Sequence, residues 1–217
     1  EGTTSYYHTN ANGQTDWQQT INNDGSLTQI DHDQNNTESW SSRTDTVNSN
    51  GQLQSVAVIN DNSSQDQLYL NANGNQPWRE QNWHYDAQNR LDYVLTINND
   101  SSMDWQDEDQ DNSQTWTTIN SHQTATGALD WRRYINDDGT EEWLDLDQDN
   151  TQQWSQQASY KNTFGQDQRR TVVWDNGNTD VMFLDGSFTD PIVQDVVNNY
   201  LWQQNTQHFD ASGVYTG

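Results

Sequence analysis

NQPWREQNWHYDAQNRLDYVLTINND, from Asn75 to Asp100, holds the two signals on which the fold turns. Leu91, Tyr93, Leu95 and Ile97 fall on alternate positions, the period of a half-buried β-strand. The stretch is bounded by DAQN at Asp86 and by NNDS at Asn98, both rich in residues that accept the positive φ of tight hairpin turns. LDWRRYI, from Leu129 to Ile135, repeats the pattern with Leu129, Trp131 and Ile135 on one face.

The likeness between these segments extends along the chain. Trp40, Trp78, Trp116 and Trp154 recur at one constant step, a period of about 38 residues. The same step links Ile21, Ile59, Ile97, Ile135 and Val173. It also links Gly13, Gly51, Asn89, Gly127 and Gly165, and separately Gly25, Ser63, Ser101, Gly139 and Gly177. Leu53, Leu91 and Leu129 form a further column. Several columns in one phase mark a tandem repeat. The units run approximately 3–40, 41–78, 79–116, 117–154 and 155–202, followed by a partial unit at 203–217. The fifth carries an insertion at 186–201, so that Trp202 closes it late.

Each unit has three turn signals: the Asp-Ala-x-Gly type, the NNDG type and an acidic string such as DQDN. The expected architecture is therefore all-β: an elongated tandem-repeat array of three short strands per unit, arranged as an antiparallel meander. A parallel β-solenoid is the alternative. PIVQDVVNNYLW, with Pro191 at its start, is the one candidate for a short helix. The Trp and Ile columns, with Trp202 and Val173, are expected to form a buried structural spine.

Composition agrees with a thin β structure. Of 217 residues only 29% are hydrophobic, and the mean hydropathy is -1.23, yet eleven are Trp and nine Tyr. A repeat needs only a few large side chains to bury against its neighbours. A net charge of -25 excludes a binder of nucleic-acid backbones and disfavours anionic membrane surfaces. No Cys is present, so disulfides and thiolate metal sites are excluded. No apolar run reaches transmembrane length, so no membrane insertion is expected. The chain opens at Glu1 rather than Met, which points to a processed product or a piece of a longer parent.

The acidic strings alternate carboxylates as a site for a hard cation would. Asp107, Asp109 and Asp111 form one set, Asp145, Asp147 and Asp149 a second, and Asp31, Asp33 and Asn35 a third. Thr118 and Gln156 stand where an EF-hand needs its closing Glu, so the candidate ion is calcium in a looser site, weighed against plain turn chemistry. No other cofactor is implied. His8, His84, His122 and His208 share one position in the unit, which reads as a scaffold position rather than a catalytic one. Trp17, Trp105, Trp131 and Trp143 could stack on sugar rings or serve as core. Nucleophile-elbow, zinc-protease, phosphate-loop and dinucleotide motifs are absent, so no catalysis is expected.

The stretch Asn75–Asp100, with its Tyr-Asp-x-x-x-Arg-Leu core at Tyr85–Leu91, resembles tandem β-repeats of large secreted bacterial proteins, of the YD/RHS-like and RTX-associated adhesin type. The resemblance implies an extracellular or cell-surface scaffold and carries over no catalytic residue. The function expected is a structural rod, as an adhesin stalk or a subunit of a surface filament or matrix. Its partner would be a second copy, docked on residues 203–217 by strand addition, or the rest of a longer parent chain. The alternative is a calcium- or polysaccharide-binding module of a larger secreted protein. An enzymatic role would have to use the one asymmetric region, 186–201.

Overall fold

A computed structural model describes residues 3–184 and 204–217. The helix expected at Pro191, the insertion at 186–201 and Trp202 all lie outside the described residues. The chain divides into two compact units, Glu1–Gln110 and Asp111–Gly217.

The first unit holds β1 (Thr4–Thr9), β2 (Thr15–Ile21), β3 (Leu27–His32), β4 (Trp40–Val47), β5 (Leu53–Asn60), β6 (Gln65–Leu70), β7 (Trp78–Tyr85), β8 (Leu91–Asn98) and β9 (Met103–Glu108). The second holds β10 (Trp116–Gln123), β11 (Leu129–Asn136), β12 (Glu141–Leu146), β13 (Trp154–Lys161), β14 (Asp167–Trp174), β15 (Thr179–Leu184) and β16 (Gln204–Phe209). Within each unit the strands pair antiparallel in chain order, and the described residues include no helix. The fold is thus an all-β meander. A parallel solenoid is ruled out, because turns of a few residues can join only antiparallel neighbours.

The recurring small and amide residues are the turn positions. Gly13, Gly51, Asn89, Gly127, Gly165 and Gly213 all have φ between 60° and 82°. In these turns a side chain closes the loop on its own backbone. Asn10 Oδ1, for example, accepts the N–H groups of Asn12 at 2.9 Å and Gln14 at 3.1 Å, and Asp86 Oδ1 accepts those of Gln88 and Arg90 at 2.9 Å. The Gly25, Ser63, Ser101, Gly139 and Gly177 column lies at φ from 70° to 84° in the other short hairpin.

Little is fully buried. Among the described residues the buried apolar side chains are Val56, Val94 and Val172. A single sheet layer offers no second surface to close against, so its stability rests on backbone ladders and cross-strand side-chain pairs.

Register decides which side chains share a face. At the β4–β5 turn Val47 opposes Leu53, but past a bulge Thr46 opposes Ser55. The extra residue changes the parity of the pairing. Directly paired residues share a face, and the pairs run Gln19–Gln29–Asp45–Val56–Leu68–Asn82–Leu95. Ala57 is the equivalent of Gln19 one repeat on, and it lies on the opposite face. Leu95, a further repeat on, returns to the first. In the second unit the line Arg133–Trp143–Ser159–Arg170 likewise leaves Thr171, the repeat equivalent of Arg133, on the other face.

This corrects the expected spine. Ile21 and Ile97 share a face, whereas Ile59 lies on the other, and Ile135 and Val173 are similarly opposed. Ile21 is 37% exposed and Ile59 45% exposed. Trp40, Trp78, Trp116 and Trp154, each the first residue of its strand, are half-buried. Columns that keep the repeat period alternate faces and cannot form one continuous buried seam.

Candidate functional site

The acidic strings begin on strands and end in loops. Asp31 lies near the end of β3, opposite Trp17 and Arg43, Asp107 lies opposite Tyr93 on β9, and Asp145 lies on β12 between Trp131 and Gln157. The later acids bind their own loops. Asp33 Oδ2 accepts the Glu38 N–H at 2.8 Å, and Asn35 Oδ1 accepts the Thr37 hydroxyl at 3.0 Å. Asp111 accepts the Ser113 N–H at 3.1 Å. Asp147 accepts the N–H groups of Thr151 at 3.1 Å and Gln152 at 2.9 Å, while Asp149 takes the Thr151 hydroxyl at 2.8 Å. Asp109 sits near the Asp107 carboxylate and adds to its charge.

Electrostatics separate the two groups. Burial, the largest influence on Asp33, is outweighed by hydrogen bonds from Glu38, Thr37 and Asn36, which hold its carboxyl below the usual range. The Thr151 hydroxyl, followed by Asp147, lowers Asp149. Burial, then the charges of Asp92, Glu108 and Asp109, raises Asp107. Burial, then Asp130 and Asp147, raises Asp145. Among the described residues no three His, Asp or Glu side chains form a metal-holding group. In the first unit a hollow of about 620 Å³ is bordered by His8, Asp16, Trp17, Asp31, Asp33 and Glu38.

A raised carboxyl titrates with a definite sign. Asp145 binds its proton more readily folded than unfolded, so its charge destabilises the sheet at neutral pH. That cost disappears as pH falls through the raised pKa, above the ordinary 3.8. Asp145→Asn is expected to raise stability at pH 7 by a few tenths of a kcal/mol, because half-exposed charges are screened by solvent. It should also remove this residue's gain on acidification. Urea melts of both proteins across that range would show the difference, and a loss of stability at pH 7 would overturn it.

The shared His position has a partner that the sequence did not reveal. His84 Nδ1 lies 2.6 Å from Asp66 Oδ1 on the facing strand, and Asp66 Oδ2 accepts the Asn60 amide at 2.7 Å. His208 Nδ1 lies 2.6 Å from Asp180, which also accepts the Trp174 indole N–H at 3.0 Å. His8 instead meets Asp16 at 2.6 Å. The available signal was an acid on the strand preceding His84, but only the register turns that spacing into contact.

Aromatic rings line up beside these pairs. His84 stacks on Tyr93 at 5.0 Å and Tyr93 on Trp105 at 4.8 Å, with interplanar angles of 11° and 14°. In the second unit His122 stacks on Trp131 at 6.2 Å and Trp131 on Trp143 at 5.0 Å. Beyond Trp143 lies a hollow of about 200 Å³ bordered by Glu141, Ser159, Lys161, Asp167 and Arg170. Arg133 pairs with Glu141 at 2.8 Å, and Arg170 reaches Asp167 Oδ2 at 3.4 Å. The Arg133 hydrogen bond, ahead of burial, lowers Glu141. Asp167 Oδ1 is buried with no hydrogen-bond partner. Sequence reasoning picked out Trp143 but missed Glu141, Lys161, Asp167 and Arg170, which converge only when three strands are paired in register.

No known protein family matches the chain, and no curated protein matches it.

Proposed function

We propose that this chain is a structural and interaction scaffold: an extracellular rod serving as an adhesin stalk or a surface filament or matrix subunit. Its building block would be a three-strand β-unit of about 38 residues. The observation that carries this reading is the meander, in which antiparallel hairpins in chain order bury only three apolar side chains among the described residues. Such a sheet leaves its broad faces and the exposed edge strand β1 available to partners. The acidic surface keeps it soluble, and the resemblance to secreted repeats supports a cell-surface location. A second copy or an adjoining parent segment would add at the edge.

Deleting one whole unit, residues 41–78, tests the rod. Small-angle scattering should report a maximum dimension shortened in proportion to the strands removed, with cooperative melting retained. An unchanged maximum dimension, or loss of the folded β signal, would overturn the modular reading.

The second reading, calcium binding by the acidic turns, is favoured by one observation. Asp107 and Asp145 are held in the field of neighbouring carboxylates, which a divalent cation would relieve. With millimolar calcium the melting temperature should rise relative to EDTA, and Asp147→Ala should blunt the rise. Identical melts in both buffers would leave these loops as turns alone.

A further inference from the structure

We propose that the hollow over Trp143 is a binding subsite for one neutral pyranose ring of a polysaccharide. It would give the scaffold a specific point of attachment, and it stands whether or not the chain forms a rod.

The geometry of β11, β12, β13 and β14 builds the site. Trp143 is covered on its β11 side by Trp131, whose ring is 5.0 Å away and tilted by only 11°. On the β13 side its direct partner is Ser159, too small to cover an indole. One indole face is therefore supported from behind and open in front, toward the hollow of about 200 Å³. That volume is below the roughly 300–1,000 Å³ of sites for drug-sized ligands and suits a single ring. A rigid, half-buried aromatic face is what the C–H face of a pyranose packs against.

The rim carries hydrogen-bonding capacity that the protein does not use. The Asp167 side chain is 32% exposed, and its Oδ2 takes only one long contact, 3.4 Å from Arg170, so this carboxylate can still accept from an arriving donor. That one contact leaves most of the five donors of Arg170 free. The Lys161 ammonium lies 4.0 Å from Glu141, beyond hydrogen-bond reach. A sugar hydroxyl both donates and accepts, so one ring can supply Asp167 with a donor while taking hydrogen bonds from Lys161 and Arg170.

Charge selects among ligands that could stack. Arg133, Lys161 and Arg170 are matched by Glu141, Asp167 and the nearby Asp145, so the site has no local excess of positive charge. The chain as a whole carries -25. A uronate polymer or a nucleotide would be repelled, whereas a neutral polyol would not.

Affinity electrophoresis of the full chain through gels containing hydroxyethylcellulose, dextran or alginate tests the assignment. Retardation is expected in at least one neutral gel and not in alginate. Trp143→Leu and Asp167→Asn should each weaken it by about tenfold or more, the loss expected when an aromatic anchor or a polar partner is removed from a small site. Tyr69→Ser, at an exposed aromatic of the other unit, should leave it unchanged. Asp167→Asn keeps the ring stack, so it decides the matter if Trp143→Leu does not fold. Migration unaffected by both neutral polymers, retardation surviving both substitutions, or equal retardation in alginate would each overturn the proposal.

Discussion

Val172→Asp is expected to unfold the second unit at room temperature. Val172 is 4% exposed, the most buried apolar side chain among the described residues, and lies between Gln157 and Asp180. The substitution removes apolar contact and places a carboxylate directly opposite Asp180. That acid is already committed to His208 and Trp174, and the one cation in reach, Arg170 two residues back on the same face, is half-exposed and turned toward Asp167, so the new charge is at best poorly paired. An unpaired buried charge costs about 3–5 kcal/mol, comparable to the entire stability of a modest domain. Val172→Thr keeps the shape and should cost much less. Chemical denaturation followed by circular dichroism would separate the two. A Val172→Asp protein with an unchanged midpoint would show that the buried valines contribute little and that the backbone ladders carry the fold alone.

Gly177→Ala is expected to destabilise by about 2 kcal/mol, while Gly13→Ala costs about 1 kcal/mol. Both glycines have positive φ, +84° and +81°, where a Cβ atom costs about 1 kcal/mol or slightly more. They differ in what the new Cβ meets. At Gly13 nothing lies within 4 Å, whereas at Gly177 the Cβ of Ala211 would be 2.9 Å away. The close approach is part of the fold, because Gly25 lies beside Ser49 and Gly139 beside Thr163 in the same way, at 3.6 and 3.7 Å. One hairpin turn packs against the next turn of the other type. Ala211→Gly in the Gly177→Ala background should therefore recover the clash but not the φ strain, about half of the loss. Full recovery would mean that the backbone conformation is not strained, and no recovery that the turns do not touch.

These turns also mark where sequence reading succeeds. Two of the columns that keep phase along the chain are positions of positive φ, a demand set by the few residues of one turn and answered by Gly, Asn or Ser in place. Strands with alternating side chains, such as Leu91–Asn98, are equally local. So the sequence by itself determined an all-β chain of short hairpins, the turn positions and a thin core. It also pointed to Trp143, through the recurrence of Trp.

Tertiary structure alone decided what faces what. A bulge beside the β4–β5 turn changes the parity of pairing, which sends Ile59 to the face opposite Ile21 and Ile97. The same kind of register brings His84 to Asp66, and Ser159 rather than a large side chain to Trp143. These contacts join residues on different strands, so no window of sequence contains them. They depend on register between strands, and a one-residue shift there exchanges one face of a sheet for the other.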